Sequence, residues 1–137
     1  MKPKIVILPC SGIGKPYGEI ARQAVYKLAD EDKPGEVATT CLGLVMIRDA
    51  EAMELLDQGY IITVDGCAKD WARQKVEASG HIVDSAVRTI EVFKEHKDLK
   101  PDGVLNLGEA GTKLADFLAV RLGDKVECAV KEAVNND

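Results

Sequence analysis

Four thiols are the residues of this chain best suited to chemistry: Cys10, Cys41, Cys67 and Cys128. Their separations are 31, 26 and 61 positions. No Cys-x-x-Cys pair exists, which excludes a zinc ribbon and a thioredoxin-type redox motif. The first two separations each approximate one strand-plus-helix unit, so successive cysteines return to one level of a β-α architecture. Thiolates near helix N-termini are favoured, which suits such positions to metal binding or nucleophilic attack.

The elements that must position them follow from hydropathy and punctuation. Residues 4–8 form a continuous β-branched run, as in a strand covered on both faces. Pro9 to Pro16 is dense in proline and glycine and reads as a loop, followed by an amphipathic helix over 17–29 with Ile20, Ala24, Val25 and Leu28 on its apolar stripe. Glu19, Arg22, Gln23 and Lys27 fall elsewhere on that helix. An extended stretch is predicted over 36–42, a helix over 49–57, and a strong strand over 60–64 that stops at Asp65-Gly66-Cys67. A helix over 68–78 follows, then a short strand at 81–83 and a helix from Asp84 or Ser85 to Lys97. Residues 104–107 read as a fifth strand or the lead-in to a helix. That helix runs over 109–122, Gly123 interrupts it, and 125–134 adds further helical turns. Strands alternating with helices predict one α/β domain over 1–137. It is a three-layer sandwich, with a mostly parallel open sheet of four or five strands and helices on both faces.

In such folds ligands bind outside the carboxyl ends of the strands. Cys10, Cys41 and Cys67 each fall at a predicted strand end, so adjacent strands, about 4.8 Å apart, would bring three thiols together. Cys128 sits in the C-terminal helical pattern beside Val126, Ala129 and Val130. It reads as buried core, with a fourth-ligand role as the alternative. The loop Ser11-Gly12-Ile13-Gly14-Lys15 fails the known phosphate motifs. Tyr17 stands where a dinucleotide fingerprint needs glycine, Pro9 and Pro16 break a P-loop, and Pro16 replaces the arginine of a cysteine phosphatase. What remains at Ser11, Gly12, Gly14 and Lys15 is an electropositive loop for an anion or ligand beside Cys10, or a tight turn that simply needs glycine. Asp65 is open to three roles: metal ligand, hydrogen-bond acceptor for the cysteine loop, or cap of the next helix. His96 lies among charges and reads as solvated, and His81 precedes its strand and so falls at the wrong edge. No Cys–His dyad, serine triad or carboxylate pair is indicated.

Composition removes other classes. A net charge of −5 with no basic cluster argues against a nucleic-acid backbone as partner, and 4% aromatic residues cannot build a base-stacking platform. No apolar run approaches a membrane span. The short apolar run before Pro9 is not a signal peptide, so the expected location is the cytoplasm, where stable disulfides are rare.

The segments Leu8-Pro9-Cys10-Ser11-Gly12-Ile13-Gly14-Lys15, Thr40-Cys41-Leu42-Gly43-Leu44 and Ile62-Thr63-Val64-Asp65-Gly66-Cys67-Ala68-Lys69 resemble the DGC-domain family. That family is named for the motif seen here as Asp65-Gly66-Cys67. The resemblance implies a small prokaryotic protein that binds metal through cysteines, with no assigned reaction. In that pattern a further cysteine often follows four residues after the motif, where this chain has Trp71.

The leading expectation is a zinc site made by Cys10, Cys41 and Cys67, with its fourth position left to water, a small thiol or anion, Asp65 or Cys128. The alternative is a thiol enzyme or persulfide carrier with Cys10 as nucleophile and Cys41 or Cys67 resolving it. A three-cysteine iron–sulfur cluster and a metal-free binding module complete the readings. No protein partner is indicated.

Overall fold

A computed structural model describes residues 4–10, 16–66, 69–103 and 106–135. Its four strands are β1 (Lys4–Pro9), β2 (Val37–Ala38), β3 (Gly59–Asp65) and β4 (Ser85–Arg88). They form one all-parallel sheet in the order β2-β1-β3-β4. The helices are α1 (Pro16–Lys27), α2 (Leu42–Met46), α3 (Ala50–Gln58), α4 (Trp71–Ala78), α5 (Thr89–Glu95) and α6 (Gly108–Asn135).

Alternation along β1 and β3 explains the layers. Ile5, Ile7, Ile62 and Val64 point to one face and pack with Ile20 and Val25 of α1, Val92 of α5 and Leu114, Leu118 and Leu122 of α6. Val6, Leu8 and Ile61 point to the other face, against Leu42 and Val45 of α2, Leu56 of α3 and Ala72 and Val76 of α4. The fold is therefore an α/β sandwich with helices on both faces of a parallel sheet. The helix after β1 and the helix after β3 lie on opposite faces, which opens a crevice between these two strand ends.

Several elements differ from their predicted bounds. The fourth strand is Ser85–Arg88, not 81–83. Pairing begins there because Asp84 completes a clasp with β3: its amide donates to the Ile61 carbonyl (2.9 Å) and its carboxylate accepts from the Ile61 amide (2.7 Å). The expected helix over 84–97 shortens to α5. The stretch 36–42 contributes only two ladder residues before the chain turns into α2. Residues 106–107 form no strand: Leu107 is buried against the core and its carbonyl accepts from the Asp102 amide. Gly123 does not interrupt the last helix. α6 runs through it for 28 residues, because its apolar stripe outweighs the roughly 1 kcal/mol helix penalty of one glycine.

Candidate functional site

The central strand β1 carries Cys10 directly beyond its end. The Cys10 amide donates to the Val64 carbonyl (2.8 Å), continuing the ladder one step past Pro9↔Val64 and bringing Cys10 level with Asp65. Alternation from Val6 and Leu8 assigns Cys10 to the α2–α4 face. Cys10 is buried, at 7% exposure. Arg22, from the second turn of α1, donates through Nη1 to the Cys10 carbonyl (3.1 Å) and is itself held by Glu19 (Nη2–Oε2 2.8 Å). It stabilises the backbone of the cysteine turn and brings a cation to it. A Glu-x-x-Arg spacing on a helix is usually only a surface pair, so the sequence carries no signal for this role.

β2 lies on the other side of β1, paired through Ile5↔Val37 and Val6↔Ala38. Cys41 follows Ala38 by three residues and Cys10 follows Val6 by four, so both lie beyond the carboxyl end of the ladder these strands share. Cys41 is exposed and opens α2: its carbonyl accepts from the amides of Leu44 and Val45, while its side chain makes no capping bond.

β3 lies on the far side of β1 and ends at Asp65. This carboxylate is buried, and both its oxygens are engaged by the first turn of α4. Oδ1 accepts from the Ala72 amide (2.7 Å) and Oδ2 from the Arg73 amide (3.2 Å). Burial pushes the Asp65 carboxyl above its ordinary value, with these two hydrogen bonds opposing the rise. These two bonds tie Asp65 to the amino terminus of α4.

Gly66 is buried and does not have a left-handed φ. A Cβ there would stand 2.8 Å from the Gly18 amide nitrogen and 3.0 Å from the Tyr17 carbonyl carbon. Glycine is needed because the exit of β3 abuts the backbone of α1. Further along the loop Asp70 adopts φ +55°, and its carboxylate is clasped by Arg88, the last residue of β4, with Nε–Oδ1 at 2.8 Å. That pairing lowers the Asp70 carboxyl below its ordinary value.

Cys67, Ser11, Gly12, Gly14 and Lys15 lie outside the described residues. Among the described residues no three His, Cys, Asp or Glu side chains are grouped closely enough to hold a metal ion. Cys128 is exposed on α6, not buried as expected. Its neighbourhood is Tyr60, near the start of β3. The phenol there is raised by burial, then by the charges of Glu132, Asp84 and Cys128. Five residues separate Tyr60 from Asp65, about 16 Å along a strand, so Cys128 is at the opposite edge of the sheet from Cys10. His81 bridges Ser79 Oγ (2.9 Å) and Asp57 Oδ1 (2.6 Å), away from the cysteines. His96 is not simply solvated: its ring stacks on Phe117 at 4.1 Å between centroids.

The family model of the DGC domain matches residues 6–110. The chain belongs to the DGC-domain family. The match begins within β1 and ends in the first turn of α6, so the DGC domain takes in Cys10, Cys41, Cys67, Asp65 and Arg22 and leaves out Cys128. No curated protein and no solved structure matches the chain. Among the described residues of this DGC domain, no helix is long and apolar enough to cross a membrane.

Proposed function

We propose that this DGC domain binds a zinc ion through the thiolates of Cys10, Cys41 and Cys67. A fourth position is left for a small thiol or anion, and the protein works in the cytoplasm. The observation that carries the reading is the strand order. β2, β1 and β3 are adjacent, and a cysteine follows each at its carboxyl end, so the donor set comes from three neighbouring strands. Thiolate donors suit zinc, and three protein ligands with one exchangeable position is the pattern of an open site. Zinc bound there would supply a Lewis acid that holds and activates the incoming thiol or anion. The chain's own residues do the positioning. Arg22 steadies the Cys10 carbonyl, Asp65 ties the end of β3 to α4, and Gly66 lets the exit of β3 lie against α1. A carrier or nucleophile role for Cys10 draws less support, because reactive thiols are partly exposed and this one is buried.

Metal analysis after purification without added zinc tests the reading, together with the thiolate-to-metal charge-transfer absorption of the cobalt(II)-substituted protein. About one equivalent of metal is expected. Cys10→Ser, Cys41→Ser and Cys67→Ser should each abolish it, and their effects should be far from additive. Metal-free protein with every thiol freely titratable overturns the proposal.

A further inference from the structure

Beside the strand ends, the outer surface of α2 and α4 leaves large apolar side chains in solvent. Ile47 is 74% exposed, Met46 57%, Trp71 47% and Leu44 39%. Lys75 lies over the Trp71 ring, 5.5 Å from its centroid, and lines with Val45, Met46, Arg48, Ala78 and Ser79 a groove of about 230 Å³ between the two helices. The charge around this groove is opposite to that of the chain. Arg48, Lys69, Arg73 and Lys75 stand here with Asp70, which Arg88 clasps, and Glu77, which pairs with Arg73 (3.0 Å), while the groove lining itself carries Arg48 and Lys75 and no carboxylate. The whole chain has a net charge of −5. Arg48 also holds a strained backbone, φ +56°, at the close of α2, where glycine or asparagine would sit more easily. Its guanidinium reaches the Ala78 carbonyl across the groove (3.2 Å), so the strained position puts a cation on the groove wall.

We propose that this α2–α4 face is the docking surface for a partner protein presenting an acidic amphipathic segment. Its apolar side chains would enter the groove beside Met46, within reach of the Trp71 ring that Lys75 covers, and its carboxylates would meet Lys75 and Arg48. The concave shape favours a peptide segment over a membrane, which takes a protruding apolar surface. Four cations in a chain of net charge −5 are too few for a nucleic-acid backbone. The patch is also small beside the roughly 1,600 Å² of a standard stable interface, so the contact is a transient one. The proposal does not depend on metal binding.

Trp71 is the only tryptophan of the chain and reports occupancy directly. The intact protein is titrated with a synthetic four-turn helical peptide bearing leucines on one face and glutamates on the other, and with the same peptide carrying lysines instead. The acidic peptide should shift Trp71 emission to the blue. Its affinity should fall about tenfold between low salt and 0.5 M salt, as screening shortens the reach of the charges. Lys75→Glu should weaken it by about tenfold as well. Arg48→Gly, which relaxes the strained turn, should weaken it without lowering the melting temperature. Cys10→Ser should leave it unchanged, separating this proposal from the metal site. Equal binding of the lysine peptide, or no response to the acidic one, overturns the proposal. So does a blue shift produced by anionic vesicles or single-stranded RNA in place of the acidic peptide.

Discussion

Gly66→Ala probes how closely the exit of β3 is fitted to α1. The added methyl would stand 2.8 Å from the Gly18 nitrogen and 3.0 Å from the Tyr17 carbonyl carbon. Ordinary contacts for such atoms begin near 3.4 Å, so the overlap is about half an ångström against two backbone atoms. No side-chain rotation relieves it; either β3 or the first turn of α1 must move. Overpacking of this kind costs about 1–3 kcal/mol. The restricted unfolded chain of alanine returns about 0.4–1 kcal/mol at most, since φ at Gly66 is not left-handed. Unfolding entropy of about 2.1 cal/mol/K per residue gives roughly 0.3 kcal/mol/K for 137 residues. A net loss of about 1–2 kcal/mol therefore lowers the melting midpoint by about 3–7 °C. Calorimetry of metal-free protein reads this without interference from the proposed site. Gly43→Ala is the control: its methyl would meet only the Cys41 sulfur, at an ordinary 3.5 Å, inside a helix that prefers alanine. A Gly66→Ala protein that melts with the wild type, or a Gly43→Ala protein equally destabilised, refutes the close-approach argument.

Other outcomes follow from the same geometry. Asp65→Asn keeps one acceptor for α4 and loses the other, and metal affinity should fall about 10–100-fold with the fold retained, read by competition with a chelator. Because burial raises the Asp65 carboxyl, stability tied to it is greatest below its ordinary value and declines as pH rises through the raised one. In metal-free protein Asp65→Asn should flatten that part of the melting-temperature profile. Asp70 behaves oppositely: lowered by Arg88, its contribution is full above the ordinary carboxylate range and is lost as pH falls through the depressed value. Arg88→Met should remove this acid-side loss, and an unchanged profile would show that the pair contributes nothing. Cys128→Ser, at an exposed position, should change stability by less than about 0.5 kcal/mol and leave bound metal unaltered; lost metal would move the site to the other edge of the sheet.

The elements legible in the sequence were those whose cause is local. Ile5 to Leu8 and the β-branched run Ile61 to Val64 announce buried parallel strands, and the helix over 49–57 matches α3, with Asp49 as its cap accepting from the Ala52 amide. The elements that escaped depend on distant partners. Ser85–Arg88 contains no strong strand signal, and it is extended because Asp84 and Ser85 meet Ile61 and Ile62 of β3. The continuity of α6 rests on a stripe that is buried only in the folded core. Gly123 itself lies beside Leu28 and Lys33. At the site, the strand-end siting of Cys10 was readable from spacing, as was a helix-capping use of Asp65. Arg22 was not, because nothing in a helical period distinguishes an arginine that reaches a loop carbonyl 12 residues back from one that faces water. Cys128 was misread because its apolar neighbours Val126 and Ala129 are buried, while the position between them on the helix turns outward.

The strand order also bears on how the chain comes off the ribosome. β1 sits at the centre of the sheet, but its neighbour β2 offers only two ladder residues. Its main partner begins at Gly59, paired with Lys4, 55 positions later. At about 5–20 residues per second, β1 waits about 3–11 s for that partner to be synthesised. One face stays open for longer still, because Leu114, Leu118 and Leu122 arrive with α6. During that interval Ile5, Ile7 and the apolar stripe of α1 form a sticky nascent surface that still lacks the cover of α5 and α6. The nascent DGC domain is thus exposed to aggregation at its amino-terminal half, and holding chaperones have their window before residue 108 emerges.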